Sequence, residues 1–191
     1  MVFKLISDYL EIGEFNPVPN QRTPLYHGRI VDLGLEMVTL PNGQQISLEI
    51  VRHPGGTVVA AIDDKQQICL LRQYRHATGG FIWEVPAGKL DPGEAPCTAA
   101  QRELKEEAGV LASHWHELGA IYSTPGFCDE VLHLYLAQQL TFTSCAPQPE
   151  EYLEVHWLPF AKALKWAHRG QIKDAKTLVI LFRAAGVLGL F

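Results

Sequence analysis

The sequence predicts an α/β domain, built on a mixed sheet covered by helices, with a small antiparallel β unit in front of it. Three observations support this fold class. Segments with strand-like alternation come first, a helix rich in alanine, glutamate and leucine spans Cys97 to Ala108, and further strands and two helices follow. This order of elements is typical of a sheet whose faces are covered by helices. The 47% hydrophobic and 9% aromatic residues are enough to build such a core.

The N-terminal β unit comprises residues 1–52. Apolar and polar residues alternate over 33–39 and again over 46–50, and Pro41-Asn42-Gly43 between them is typical of a hairpin turn. A unit of this size cannot bury a core alone, so it packs either on the rest of the chain or on a second copy. The break at His53-Pro54-Gly55-Gly56 then begins the second domain, residues 53–191.

The elements of the second domain follow from its apolar runs and turn residues. Thr57–Ile62 and Ile68–Leu71 are apolar strands on either side of a polar turn, and Phe81–Val85 is a short strand. Gly109 closes the helix that begins at Cys97. The remaining predicted elements are strands over 131–137 and 153–158, a helix over 159–168 and a last helix over 175–185 capped by Asp174.

Composition and motifs argue against several classes of function. A formal net charge of −5 gives no basic excess for nucleic acid or an anionic membrane, and the longest apolar runs fall short of the roughly 20 residues of a membrane helix. The four cysteines form no CxxC motif, so we expect free thiols in a soluble, cytoplasmic protein. The sequence lacks the HExxH, GxGxxG and P-loop motifs of zinc proteases, dinucleotide-dependent enzymes and kinases.

The predicted helix that begins at Cys97 carries an unusual concentration of acidic residues. Glu103, Glu106 and Glu107 stand at i, i+3 and i+4 and therefore share one helix face. Like charges at this spacing repel each other, and a hard divalent cation such as Mg²⁺ or Mn²⁺ would relieve the repulsion. The alternative is a solvated acidic face balanced by Arg102 and Lys105, which is the usual explanation for an arbitrary glutamate-rich helix.

The spacing of these residues distinguishes the two explanations. The segment 88–110 resembles the Nudix box, GX5EX7REUXEEXGU, in which U is an aliphatic residue. The residues that fill its specified positions are Gly88, Glu94, Arg102, Glu103, Leu104, Glu106, Glu107, Gly109 and Val110. No position of the box departs from the pattern.

The resemblance implies a Nudix fold, which is an α/β/α sandwich with a mixed sheet, and a pyrophosphohydrolase that depends on Mg²⁺, with Mn²⁺ as a possible substitute. In relatives, residues at the positions of Glu103 and Glu107 are metal ligands, and Glu106 often contributes. The backbone carbonyl of Ala87 can join them. Glu94 and Arg102 are implied to form an ion pair that supports the loop beginning at Gly88.

Other segments resemble the ADP-ribose pyrophosphatase subgroup of this family. They are Leu71–Arg75, Trp83–Glu94, Ser123–Glu130 and Gly170–Thr177, with Pro125 at the subgroup's spacing after the box. The resemblance implies hydrolysis of ADP-ribose to AMP and ribose 5-phosphate by a homodimer that exchanges its N-terminal β units. The alternatives are hydrolysis of another nucleoside diphosphate sugar such as GDP-mannose, and a non-catalytic nucleotide-sugar sensor.

Candidate substrate-binding residues lie outside the box. Arg75 is the first candidate for a phosphate clamp because a guanidinium pairs bidentately with phosphate oxygens. A structural salt bridge to Glu84 or Asp129 is an equally weighted alternative. Arg52 is a second candidate for the clamp, and Glu130 is a candidate for binding the terminal ribose hydroxyls or assisting the metal.

The general base is expected in the acidic loop before the strand that begins at Leu153. In the subgroup this loop carries two acids two residues apart, but Pro149 stands where the upstream acid is expected. Glu150 is therefore the first candidate for the base and Glu151 the second. If both are ordinary loop acids, Glu106 of the box would activate the water.

Overall fold

The computed structural model describes residues 21–146 and 151–190. The chain divides into two compact units, with the division between Val51 and Arg52. Glu150, the first candidate for the general base, lies outside the described residues.

The first unit contains a three-stranded sheet with the order β1-β2-β3, formed by Gln21–His27, Asp32–Thr39 and Gln45–Arg52. The predicted turn at Asn42-Gly43 is present: Gly43 has a φ of +84° and its N–H donates to the carbonyl of Leu40. Glycine reaches this left-handed conformation without steric cost. Strand β1 was not predicted because Gln21–Pro24 shows no apolar alternation.

The part of the second unit that the structure describes contains two sheets. Three strands form the order β10-β5-β6, and four strands form the order β7-β4-β9-β8. Their bounds are Gly56–Ala61 for β4, Gln67–Arg75 for β5, Gly80–Glu84 for β6, Ala87–Lys89 for β7, Val110–Tyr122 for β8, Val131–Phe142 for β9 and Leu153–Pro159 for β10. Strands β4 and β9 are parallel, whereas β7 and β8 pair antiparallel to their neighbours. The predicted mixed sheet is therefore confirmed.

Among the described residues, three α-helices cover these sheets: α1 at Pro96–Ala108, α2 at Phe160–His168 and α3 at Ala175–Val187. All six residues of β4 are buried, and its side chains alternate between two apolar clusters. Val58 and Ala60 pack in the cluster that contains α2 and α3, whereas Val59 and Ala61 pack in the cluster that contains α1. The sheet layer thus lies between α1 on one side and α2 with α3 on the other, which is the predicted α/β/α arrangement.

Strand β8 was missed by the sequence analysis, although it is among the longest strands of the described residues. Its burial pattern is irregular, and a register shift occurs between Glu117 and Ala120. A strand that leaves most side chains exposed needs no apolar alternation, so the sequence carried no period-two signal. The short strand β7 was also missed, because Ala87-Gly88-Lys89 has no strand propensity.

Helix α1 begins one residue before the predicted Cys97 and ends at the predicted Ala108. Pro96 occupies its first turn, and Gly109 closes it with a φ of +63°. A Cβ atom at Gly109 would stand 2.6 Å from the carbonyl oxygen of Thr143, so conformation and space both require glycine. None of the helices in the described residues is long and apolar enough to span a bilayer.

Candidate active site

The turn from β6 to β7 brings a backbone segment against the acidic face of α1. Glu103 and Glu107 are both buried in this contact, with 6% and 1% of their surface exposed. A Cβ atom at Gly88 would stand 1.9 Å from the Glu103 carboxylate. The absence of a side chain at Gly88 is therefore what leaves room for that carboxylate.

Ala87 lies beside Glu107 and donates its backbone N–H to Oε2 of that residue at 2.9 Å. In the antiparallel register with β4, Val59 N–H donates to the Pro86 carbonyl, and Ala87 stands opposite Val58. Positions alternate between hydrogen-bonded and non-hydrogen-bonded pairs, so Ala87 occupies a non-hydrogen-bonded position. Its N–H and its carbonyl therefore both point away from β4.

Arg102 connects the loop to the helix. Its Nε and Nη2 donate to the two carboxylate oxygens of Glu94 at 3.0 and 2.9 Å, and Nη2 also donates to the Lys89 carbonyl. Its Nη1 donates to Glu103 at 2.7 Å and lies 3.5 Å from Glu106. The hydrogen bonds from Arg102 lower the pKa of Glu94 to about 2. This pair fixes the loop between Gly88 and the start of α1.

Burial raises the pKa of both interior carboxyl groups of α1. Desolvation is the largest cause for Glu107, whose pKa lies well above its ordinary value, and negative charge on Glu103 and Glu151 raises it further. Desolvation also raises the pKa of Glu103, while the hydrogen bond from Arg102 opposes the shift. Because burial disfavours the ionised form of both carboxyl groups, a nearby positive charge would stabilise that form.

The candidate metal ligands are brought together, but they are not arranged around one point. Among the residues that the structure describes, no three acidic, histidine or cysteine side chains form a group spaced to hold an ion. The reason lies in their present partners: Glu103 is bound to Arg102, Glu107 is bound to the Ala87 N–H, and the side chain of Glu106 is 32% exposed.

Arg75 forms the salt bridge that was the alternative to a phosphate clamp, and its partner is Glu84. Nε and Nη2 of Arg75 donate to the two oxygens of Glu84 at 2.7 and 3.0 Å. Burial acts to raise the pKa of Glu84, but the hydrogen bonds and charges of Arg75 and Lys176 lower it below its ordinary value. The Arg75 side chain remains 42% exposed, so a partner in solution can still reach it.

A second polar cluster stands where β4 and β9 begin. Arg52 donates to Asp129 at 3.0 Å, and the other oxygen of Asp129 accepts the His53 N–H. Nδ1 of His53 lies 3.3 Å from Glu130. The Gly55 carbonyl accepts the Leu90 N–H from the loop that follows Gly88, so this cluster adjoins the loop of the box.

Glu151 is the described member of the predicted base loop. It acts electrostatically on both Glu103 and Glu107, and it immediately precedes Tyr152, whose carbonyl accepts the Tyr74 N–H. The charge of this loop acid therefore reaches the two buried carboxylates of α1. Trp83 packs against Trp166 and His156, with ring centroids 5.4 and 5.1 Å away.

The sequence analysis named Glu84 only as a partner of Arg75 and Asp174 only as a helix cap, and it missed that both meet Lys176 near the site. Glu84 is 1% exposed, and Lys176 and Asp174 join it from the first turn of α3. A charged residue within the apolar run Phe81–Val85 was the available signal, because a buried acid needs a cationic partner. Its partner Lys176 is distant in the sequence, so no local pattern identified it.

Known proteins resemble this chain over most of its length. The model of the NUDIX domain matches residues 51–178. An ADP-ribose pyrophosphatase of Bacillus subtilis is 39% identical over 80% of this chain and 84% of its own, and one of Mycobacterium tuberculosis is 37% identical over 87% and 79%. The methanol dehydrogenase activator of Bacillus methanolicus is 39% identical over 81% and 85%.

A solved structure supports the same assignment at the level of the fold. The crystal structure of an ADP compounds hydrolase superposes with a TM-score of 0.78 and 23% identity, covering 92% of this chain and 95% of that one. The family model, the relatives and the complete box on α1 agree, and the chain is a member of the Nudix hydrolase family.

Proposed function

We propose that this protein hydrolyses the pyrophosphate bond of ADP-ribose to AMP and ribose 5-phosphate in the presence of Mg²⁺. One observation carries the proposal: α1 buries Glu103 and Glu107 beside a glycine that has no room for a side chain. The relatives named as ADP-ribose pyrophosphatases support the choice of substrate.

The donor set fits a hard divalent cation. Glu103, Glu106, Glu107 and the Ala87 carbonyl offer only oxygen atoms, which Mg²⁺ and Mn²⁺ prefer. The space that Gly88 leaves around Glu103 and the raised pKa of the buried carboxyls are consistent with a site that gains from positive charge. Bound there, Mg²⁺ would neutralise the diphosphate and lower the pKa of water.

Two arginine side chains outside the Nudix box are proposed to bind the substrate. The exposed part of the Arg75 guanidinium would pair with phosphate oxygens while Glu84 fixes its orientation. Arg52, held by Asp129, is the second candidate for the phosphates. Glu130 in the same cluster would accept hydrogen bonds from the terminal ribose hydroxyls or assist the metal.

An acid of the loop before β10 is proposed as the general base. Glu151 is the described candidate, and its charge acts on both buried glutamates of α1. Glu150, the first candidate from the sequence, lies outside the described residues. Glu106, whose side chain is partly exposed on the same helix face, is the candidate if neither loop acid removes the proton.

We propose that the protein acts as a homodimer in the cytoplasm. The N-terminal β unit exposes several large apolar side chains, namely Leu25, Tyr26, Ile30, Val31 and Leu48. Several exposed apolar side chains on so small a unit are typical of a surface that a second protein covers. All four cysteines are free thiols, which is consistent with a reducing compartment.

Phosphate release from a panel of nucleoside diphosphate sugars tests the substrate. Purified protein with Mg²⁺ and an added phosphatase should release phosphate fastest from ADP-ribose, slower from GDP-mannose and not at all when the metal is chelated. A preference for GDP-mannose would overturn the substrate assignment. Turnover of no compound, with retained binding of a nucleotide sugar, would identify a sensor in place of an enzyme.

A further inference from the structure

The four residues 84–87, from the last residue of β6 to the first of β7, are held by different parts of the second unit. Glu84 binds Arg75, and the Pro86 carbonyl accepts the Val59 N–H. The Ala87 N–H donates to Glu107. The remaining residue, Val85, is held by α3, a helix that carries no residue of the Nudix box.

The first turn of α3 makes that attachment through buried polar atoms. The hydroxyl of Thr177, a fully buried residue, accepts the Val85 N–H at 3.0 Å and donates to Asp174 at 2.6 Å. Lys176 donates to Glu84 at 2.5 Å and to Asp174 at 2.9 Å. Asp174 is also the N-cap of α3, where it accepts the Thr177 N–H.

We infer that the first turn of α3 positions the backbone of Ala87 and Gly88 against α1, with Thr177 and Lys176 as its positioning residues. Glu84 and Val85 are fixed by this turn, and Ala87 follows after a single proline whose φ is restricted by its ring. Fixing residues 84 and 85 therefore limits where the Ala87 N–H and carbonyl can point. The inference rests on the proposed function only in taking Ala87 and Gly88 as part of the metal site.

Amide hydrogen exchange in the metal-free protein tests the positioning directly. Thr177→Val removes the acceptor of the Val85 N–H, and Thr177→Ser keeps it. In Thr177→Val, we expect exchange of the Ala87 amide to accelerate at least about ten-fold more than that of Leu134 in the buried strand β9. Thr177→Ser should stay within about two-fold of the wild type. Ile180→Val weakens the packing of α3 but leaves the Thr177 hydroxyl in place, so it controls for a general loss of stability.

Lys176→Met provides a second test if Thr177→Val does not fold. It removes one cation from Glu84 while the bidentate contact with Arg75 remains, so no buried carboxylate is left unpaired. We expect the same selective acceleration at Ala87. If Ala87 exchange rises only in proportion to Leu134 exchange in both variants, α3 does not position the loop.

Calorimetric titration with Mn²⁺ then tests whether the position of the Ala87 and Gly88 backbone affects metal binding. We expect Thr177→Val to bind Mn²⁺ at least about five-fold more weakly than the wild type and Thr177→Ser to bind it normally. Faster Ala87 exchange with unchanged Mn²⁺ affinity would overturn the role at the metal site. Absence of Mn²⁺ binding by the wild type would instead overturn the proposed function, while the exchange comparison would still decide whether α3 holds the loop.

Discussion

Glu107 is the residue on which the proposed chemistry depends most directly. It is 1% exposed, and its carboxylate already accepts the Ala87 N–H. Glu107→Gln keeps this acceptor and the size of the side chain but removes the negative charge. We expect kcat to fall by roughly two or more orders of magnitude because a ligand charge is lost. Steady-state kinetics and circular dichroism measure rate and fold, and Glu117→Gln on the exposed part of β8 is the control. An unchanged rate would exclude Glu107 as a metal ligand.

Gly88 makes a second prediction at the scale of one residue. An alanine Cβ would overlap the Glu103 carboxylate, which must then swing away, while the backbone of Gly88 does not require a positive φ. We expect Gly88→Ala to fold and to need roughly ten- to a hundred-fold more Mg²⁺ for half-maximal rate. Gly80→Ala, whose Cβ would meet no atom within 4 Å, should behave as the wild type. Equal metal requirements in the two variants would refute the explanation.

The identity of the base is tested by exchanging single acids for amides. We expect Glu151→Gln to lower kcat roughly 10²- to 10⁴-fold, since an amide cannot accept the proton of the attacking water. Glu150→Gln and Glu106→Gln are compared in the same assay. A larger loss of kcat in either of these variants would identify that residue as the base in place of Glu151.

At the scale of elements, the Glu94–Arg102 pair joins the loop after β7 to α1. The pKa of Glu94 is about 2 in the folded chain, below its ordinary value of 4.5, because Arg102 donates hydrogen bonds to it. A depressed folded-state pKa stabilises the fold above the unfolded value, and this contribution is lost as the pH falls from 4.5 towards 2. We therefore expect wild-type unfolding near pH 3 to take up about one proton more than unfolding of Glu94→Gln.

Urea unfolding of the metal-free protein between pH 3 and 5 measures this difference. The wild-type curve of stability against pH should be steeper than that of Glu94→Gln over this interval. Glu117→Gln should retain the wild-type slope. Parallel curves for the wild type and Glu94→Gln would show that Arg102 does not hold Glu94 ionised in the folded chain.

Elements with a strong local signal were predicted from the sequence, and elements fixed by distant partners were not. Helix α1 has good helix formers between a proline and a glycine, so its bounds were nearly correct. Strand β8 is defined by its pairing with β9, which no local pattern records. In the site, the spacing of Glu103 and Glu107 identified their shared face. The pairing of Glu84 with Lys176 needed the fold, because it joins β6 to α3.

At the scale of the whole molecule, the exposed apolar side chains of the N-terminal unit predict the oligomeric state. We expect sedimentation equilibrium to give about twice the 21.3 kDa chain mass for the wild type. Ile30→Lys places a charge among these side chains and should yield monomers. Leu111→Lys changes an equally exposed leucine on β8 and should remain dimeric. A monomeric wild type would remove the dimer from the proposal.

The parallel pairing of β4 with β9 has a consequence for how the protein is made. Gly56 pairs with Leu132, and Ala61 pairs with Ala137. The wholly buried strand β4 therefore lacks its parallel neighbour until β9 has been synthesised. Closing so long a loop costs chain entropy before β4 and β9 make stabilising contacts, so the pairing of these strands is slow. A nascent chain that has left the ribosome only as far as α1 can pair β4 with β7 alone, and it therefore presents the other edge of an apolar strand to chaperones and to neighbouring chains.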